Sequence, residues 1–180
     1  MIFHLPSLWT VIIDFLAWLL IHVFVSLPIA KMRLDSFNPD SWLYKERRWE
    51  NRGRFYDTFF RIKRWKGFLP DGAAVSKSGF RKKRLGNNDA AYIRRFILET
   101  CRAELTHWVI FVFAIVFFVW NDWWIGLIMI GYAIVVNIPC VITQRYNRIR
   151  LRRVYNAQAL LPSNDISKIK GSKQVFRNNE

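Results

Sequence analysis

Glu104 and His107 stand three residues apart in the run Glu99-Thr100-Cys101-Arg102-Ala103-Glu104-Leu105-Thr106-His107-Trp108. On a helix that spacing makes them neighbours on one face. A carboxylate beside an imidazole fixes its tautomer and supports its charged form. The pair therefore has the makings of a general base oriented by an acid, able to take a proton from a hydroxyl. A plainer reading is a histidine anchoring a span at the membrane surface, with Glu104 paired to an arginine. Glu-x-x-His supplies only two ligands, so no metal site is expected.

A second constellation runs from Asn137 to Arg150 and includes Pro139, Cys140, Gln144, Arg145, Asn147 and Arg148. Asn137, Cys140, Gln144 and Asn147 or Arg148 recur at steps of three and four, forming one helical stripe. An asparagine in an apolar run is costly unless it is paired within a bundle. The stripe carries three such amides, Asn137, Gln144 and Asn147. Pro139 removes the hydrogen bond to Val135 and predicts a kink. Arg145 and Arg148 head a group with Arg150, Arg152 and Arg153 that could clamp the phosphates of coenzyme A or phosphopantetheine. Anchorage on anionic lipid explains the arginines equally well. It leaves the three amides without a purpose.

Two further groups carry less. Trp49 to Tyr56, Arg64-Trp65-Lys66 and Pro70-Asp71-Gly72 offer aromatic faces for sugars or for headgroup depth, and a turn. Asp14 and His22 are ionisable residues inside an apolar run, close to its ends. Cys101 and Cys140 have neither metal spacing nor a shared compartment, so two unpaired packing thiols are expected.

These residues need elements to position them, and charge locates the elements. The chain has 180 residues, 52% of them hydrophobic, with 28 Lys and Arg against 13 acidic residues. Such a charge could serve nucleic acid. However, every Lys and Arg falls in 31–104 or 145–180, and none in 1–30 or 105–144. Charge that stops where apolar runs begin follows the positive-inside rule, so no nucleic-acid partner is expected. Spans are predicted at about 8–29, 105–120 and 123–143. The first has no preceding basic residue and is too long for the core of a signal peptide, so it is read as a retained span. The expected topology has the N-terminus outside, the basic loop and C-terminal tail in the cytosol, and Trp120, Trp123 and Trp124 in an outer aromatic belt. Within 31–88, Tyr44–Phe60 reads as an amphipathic helix lying in the interface. Residues 77–84 read as a basic loop over anionic lipid. Asn88 or Asp89 can cap the helix that carries Glu104 and His107. The predicted architecture is all-α: one membrane-embedded domain, 1–155, with an amphipathic cytosolic layer, and a disordered basic tail, 156–180.

The sequence resembles the glycosyl-4,4'-diaponeurosporenoate acyltransferases, small membrane enzymes of staphyloxanthin-type carotenoid glycolipid biosynthesis. Four stretches carry the likeness over about residues 30–155. They are Trp49-Glu50-x-x-Gly53-x-Phe55, Arg64-Trp65-Lys66 ahead of Asp71-Gly72, Glu99 to Trp108, and Asn137-x-Pro139 with Gln144-Arg145-Tyr146-Asn147-Arg148-x-Arg150. The first span, the loop at 77–84 and the tail do not match. The resemblance implies transfer of a fatty acyl chain to the sugar 6-hydroxyl of a glycosylated C30 carotenoid. His107, the only histidine of the shared motifs, would then be the base, with Glu104 as its partner. Trp108, Asn137, Gln144, Asn147, Arg145 and Arg148 would bind substrate. The acyl donor would be acyl-CoA or an acyl carrier protein, with no bound cofactor. The rival readings are an anionic-lipid-binding scaffold without catalysis, and a different transferase acting on a lipid-borne polar head.

Overall fold

The protein is described by a computed structural model covering residues 7–65, 67 and 90–159. Three long helices carry it: α1 (Ser7–Lys31), α4 (Ala90–Phe113) and α5 (Trp123–Ala159). Between α1 and α4 lie short pieces: 3-10 turns at Leu34–Ser36 and Arg48–Gly53, α2 (Arg54–Thr58) and α3 (Ile62–Trp65). No strand occurs among the described residues. The protein is an all-α membrane protein, with stretches long and apolar enough to span at Leu8–Lys31, Ala90–Val119 and Trp123–Ala157. Large apolar side chains such as Phe15, Phe24, Val112, Ile115, Leu127 and Val135 point outward. Lipid tails solvate such faces at no cost, whereas water would not.

The three predicted spans fall within these helices. The middle one looked short, and its end winds more tightly: α4 passes into a 3-10 segment at Ala114–Val119. A 3-10 residue rises about 2.0 Å against 1.5 Å, so these six residues gain about 3 Å of reach. α5 stays α-helical through Pro139 and on to Ala159, past the expected start of the tail. Residues 160–180, the loop at 77–84 and the proposed caps Asn88 and Asp89 lie outside the described residues.

The interfacial helix expected over Tyr44–Phe60 is not formed. Asn51, Arg52 and Gly53 follow one another with φ of 44°, 56° and 86°. Three left-handed residues in a row end any right-handed helix. They turn Glu50 inward and bring Gly53 over α5, where its missing Cβ would sit 3.6 Å from Tyr146 and 3.7 Å from Ile149. Tyr56 and Ile62 pack with Ile142, Tyr146 and Ile149 of α5 in one core cluster. Phe37 and Tyr44 pack on Leu98 and Cys101 of α4 in another. The aromatic layer therefore faces the helices as much as the lipid; only Trp42, Trp49 and Phe59 stay largely outward. Alternation of aromatic and basic residues is compatible with a helix, but burying Glu50 requires the chain to fold back.

The end of the bundle at the α4–α5 turn is closed by two contacts. Asp14 of α1 accepts hydrogen bonds from Trp120 Nε1 and Asn121 Nδ2, each at 2.8 Å. That makes Asp14 a structural tie between α1 and the turn joining α4 to α5. Gly126 allows Phe118 to lie against α5: a Cβ there would come within 2.5 Å of the Phe118 ring. Gly126→Ala should therefore lower stability by about 1–3 kcal/mol, the usual cost of overpacking. Gly131, with nothing within 4 Å of its Cβ position, is the control, and Gly131→Ala should be neutral or better. Thermal unfolding of both variants in detergent measures the difference.

Candidate functional site

α4 and α5 run side by side through the bilayer, and their facing residues hold most of the polar groups of the membrane interior. His107 of α4 meets Asn137 of α5, with Nδ1 at 3.0 Å from Asn137 Oδ1. The Asn137 amide nitrogen donates to Ala133 O at 3.0 Å. A carbonyl can only accept, so this second bond fixes which way the amide points. Oδ1 must then accept from His107 and Nδ1 carries the hydrogen, so in the neutral ring the lone pair is on Nε2. His107 is half-buried, and Asn137 is almost fully buried.

Glu104 does not take part in this pair. Its carboxylate receives Arg148 Nη2 at 2.5 Å, Arg145 Nη1 at 3.0 Å and Trp108 Nε1 at 3.3 Å. Residues three apart on a helix diverge by about 60°, enough for each to find a different partner on α5. The strongest attraction available to a buried carboxylate is a guanidinium, and two are within reach. The orienting partner of His107 is thus Asn137, an amide rather than an acid.

Arg145 also binds Glu50, through Nε at 2.9 Å and Nη2 at 3.1 Å, and donates to the carbonyls of Leu43 and Lys45. Arg148 donates to Tyr44 O at 3.2 Å and lies over the Tyr44 ring at 5.4 Å. All three nitrogens of Arg145 are spent on the protein itself. Among the donors of Arg148, only Nη1 is buried without a partner. Geometry therefore gives these two arginines the duty of fastening the layer of short helices to α4 and α5, and leaves Arg145 no spare donor for a phosphate. Gln144 and Asn147 are half-buried on α5, with no hydrogen bond from their amides among the described residues. Ten residues separate Asn137 from Asn147, about 15 Å of helix, too far for both to bind one sugar ring.

Glu50 was visible in the sequence only as part of a tryptophan-rich motif, and it proves central. It is fully buried, accepting from the Tyr56 hydroxyl, from the Arg47 backbone N–H at 2.5 Å and from Arg145. A buried glutamate needs a cation, but nothing in the sequence sets Glu50 apart from Glu46 and Asp57 in the same basic stretch. Burial pushes its carboxyl up, but hydrogen bonds from Arg145, Tyr56 and Arg47 outweigh that and hold it below the ordinary value. For Tyr44, burial followed by the nearby Cys101 and Glu104 pushes the phenol up to about 12.

Beside this network lies an open groove of about 720 Å³. Its walls include Trp42, Trp49, Phe55 and Phe60 of the layer, Trp108 of α4, and Ile138, Val141, Ile142 and Arg145 of α5. His107 and Asn137 are each one residue from a wall residue, and side chains one residue apart emerge about 100° around a helix. They face the neighbouring flank, towards α1. There His22 donates its Nδ1 hydrogen to Trp18 O at 2.8 Å. Cys101 and Cys140 are both free. Among the described residues no three His, Cys, Asp or Glu side chains gather as a metal site would require.

Comparison with known proteins agrees on one family. Residues 40–157 match the family described as glycosyl-4,4'-diaponeurosporenoate acyltransferase. A Staphylococcus haemolyticus protein of that name is 34% identical over 153 residues, covering 83% of this chain and 89% of its own length. One from Staphylococcus aureus strain N315 is 28% identical over 137 residues, covering 76% and 82%. No solved structure matches.

The Glu50 geometry gives a pH dependence. A carboxyl held below its unfolded value of about 4.5 stabilises the fold above that pH, and the contribution is lost as pH falls through the folded value. The melting midpoint in detergent should hold steady from pH 7 to about 5 and drop below pH 4.5. Glu50→Gln should melt lower at pH 7 and show a shallower acid limb. An unchanged limb would assign the acid sensitivity to other carboxylates.

Proposed function

Because the chain belongs to the glycosyl-4,4'-diaponeurosporenoate acyltransferase family, we propose that it moves a fatty acyl group onto a sugar hydroxyl of a glycosylated carotenoid, with His107 as general base. The observation that carries the assignment is the Ala133–Asn137–His107 chain of hydrogen bonds, which leaves Nε2 as the acceptor. The sugar hydroxyl gives its proton to Nε2 as its oxygen bonds to the acyl carbon. The carbon–sulfur bond of the donor thioester breaks, and the leaving thiolate recovers the proton. The donor is acyl-CoA or an acyl carrier protein, whose shared phosphopantetheine arm approaches from the cytosol. Gln144 offers its amide to the sugar or to the developing oxyanion. Glu104, Arg145 and Arg148 act by holding α4, α5 and the cytosolic layer in register.

The basic segments 31–104 and 145–180 face the cytosol and anionic lipid in this reading, with the N-terminus outside. Asp122, exposed in the outer turn, and Asp40, exposed in the layer, report on it. With Cys101 and Cys140 replaced by Ala, Asp122→Cys should react with an impermeant maleimide in intact cells, and Asp40→Cys only after permeabilisation. The opposite pattern would invert the topology.

Catalysis is tested by lipid extraction and mass spectrometry, normalised to membrane-embedded protein. His107→Ala should lower acylated product about 10²–10⁴-fold, the usual contribution of a positioned base, and unacylated glycolipid should accumulate. Glu104→Gln should act differently. It removes a buried charge from two arginines and should cost about 3–5 kcal/mol of stability, so protein level falls first. Near-normal turnover in His107→Ala would end the proposed mechanism.

A further inference from the structure

The mechanism above leaves the aromatic groove beside Trp108 without a task. Its size falls within the 300–1,000 Å³ range of small-molecule sites, and its walls are mostly apolar with few polar groups, the usual character of such sites. Two hydrophobic molecules meet in the reaction, a flexible acyl chain and a rigid polyene, and the groove has to be assigned to one of them.

Its position along α5 decides between them. Arg145 marks the cytosolic end and Ile138 the end deeper in the membrane, seven residues apart, so the groove extends about 10 Å along the helix. Trp108 forms part of its α4 wall, its indole nitrogen reaching back to Glu104 at 3.3 Å. A conjugated C30 polyene is a straight rod far longer than this and cannot bend to fit. A saturated chain can coil within the groove and fill its width. The polyene has an alternative place along the exposed lipid face, whereas a chain delivered from the cytosol must enter at the inner edge.

The rim supplies the second argument. Arg145 lines the mouth but is occupied by Glu50, Glu104 and two carbonyls. Arg47 also lines it, and there the charge is less committed. One nitrogen, Nη2, donates to Trp42 O at 2.6 Å, and the guanidinium lies over the Trp42 ring at 5.1 Å. Its Nε and Nη1 have no partner among the described residues. A half-exposed guanidinium with unused donors at the mouth of an apolar groove complements a molecule with a phosphate at one end and a hydrocarbon at the other.

We propose that the groove seats the fatty acyl chain of a phosphopantetheine thioester, with Arg47 meeting its phosphate and Ile138 limiting chain length. The inference rests on the acyl-transfer reading for the choice of ligand.

The test uses the full chain in detergent and palmitoyl-coenzyme A bearing a diazirine at the chain terminus, with a parallel arm in which the same acyl group rides on an acyl carrier protein. Photolysis should attach the label within the segment from Ile138 to Ile142 or on Trp108, in either arm; the arm labelled at lower concentration identifies the source. Unlabelled glycosylated carotenoid should not compete. Arg47→Gln should weaken labelling about tenfold. Ile138→Trp, or Val141→Phe if the first is unstable, should shift the preference from palmitoyl towards octanoyl donors at least tenfold, with the acceptor KM unchanged. Labelling elsewhere, or competition by the carotenoid, would overturn the assignment. Labelling does not depend on turnover, so a groove that captures the acyl chain in a protein that transfers nothing would retain the site and reject the activity.

Discussion

Two carboxylates and two guanidiniums, where the layer of short helices meets α4 and α5, hold the protein together. Glu50 and Glu104 are fully buried, and Arg145 bridges them while Arg148 binds Glu104 from the other side. No member is affordable alone in that setting, because an unpaired charge in a low-dielectric site costs several kcal/mol. The constraint reaches outward from there. Glu50 has to turn inward, so the backbone passes through Asn51, Arg52 and Gly53 in left-handed geometry. That turn lays Tyr56 and Ile62 on α5 and shapes the wall of the groove.

The contact between His107 and Asn137 is held differently. A chain of two hydrogen bonds ending at a backbone carbonyl puts the hydrogen on Nδ1. Because the amide is tied at both ends, the imidazole is oriented without a carboxylate beside it. The charged network fixes where α5 sits against α4; the His107–Asn137 contact inherits that register.

The large features were legible because they depend on composition and on charge at the ends of apolar runs. The spans, their order and the shared motifs follow from such signals. Partner choice within the bundle was harder to read. Spacing placed Glu104 beside His107 along one helix, but α5 offered each a better partner, and nothing in one helix's sequence reveals which residue of the next lies opposite. Asn137 was read as a substrate amide for the same reason, since its bond to Ala133 depends on side-chain direction. The fold-back at Asn51–Gly53 escaped because three positive-φ residues in a row are rare and Arg52 gives no sign of one, although Asn and Gly tolerate that geometry; the buried Glu50 explains why the chain turns here. Asp14 was noticed as an anomaly within a span, and its partners Trp120 and Asn121 lie more than a hundred residues away.

That separation has a bearing on biogenesis. A ribosome delivers α1 to the membrane long before Trp120 and Asn121 are synthesised, so Asp14 enters the bilayer region without either of these donors. Until the hairpin of α4 and α5 arrives, the first helix is free to sink, tilt or shift along its axis. Capture of its carboxylate by the new turn then sets its depth. The aspartate serves as a latch that closes only on a finished hairpin, and an incomplete chain carries an exposed acidic mark by which it differs from the mature protein.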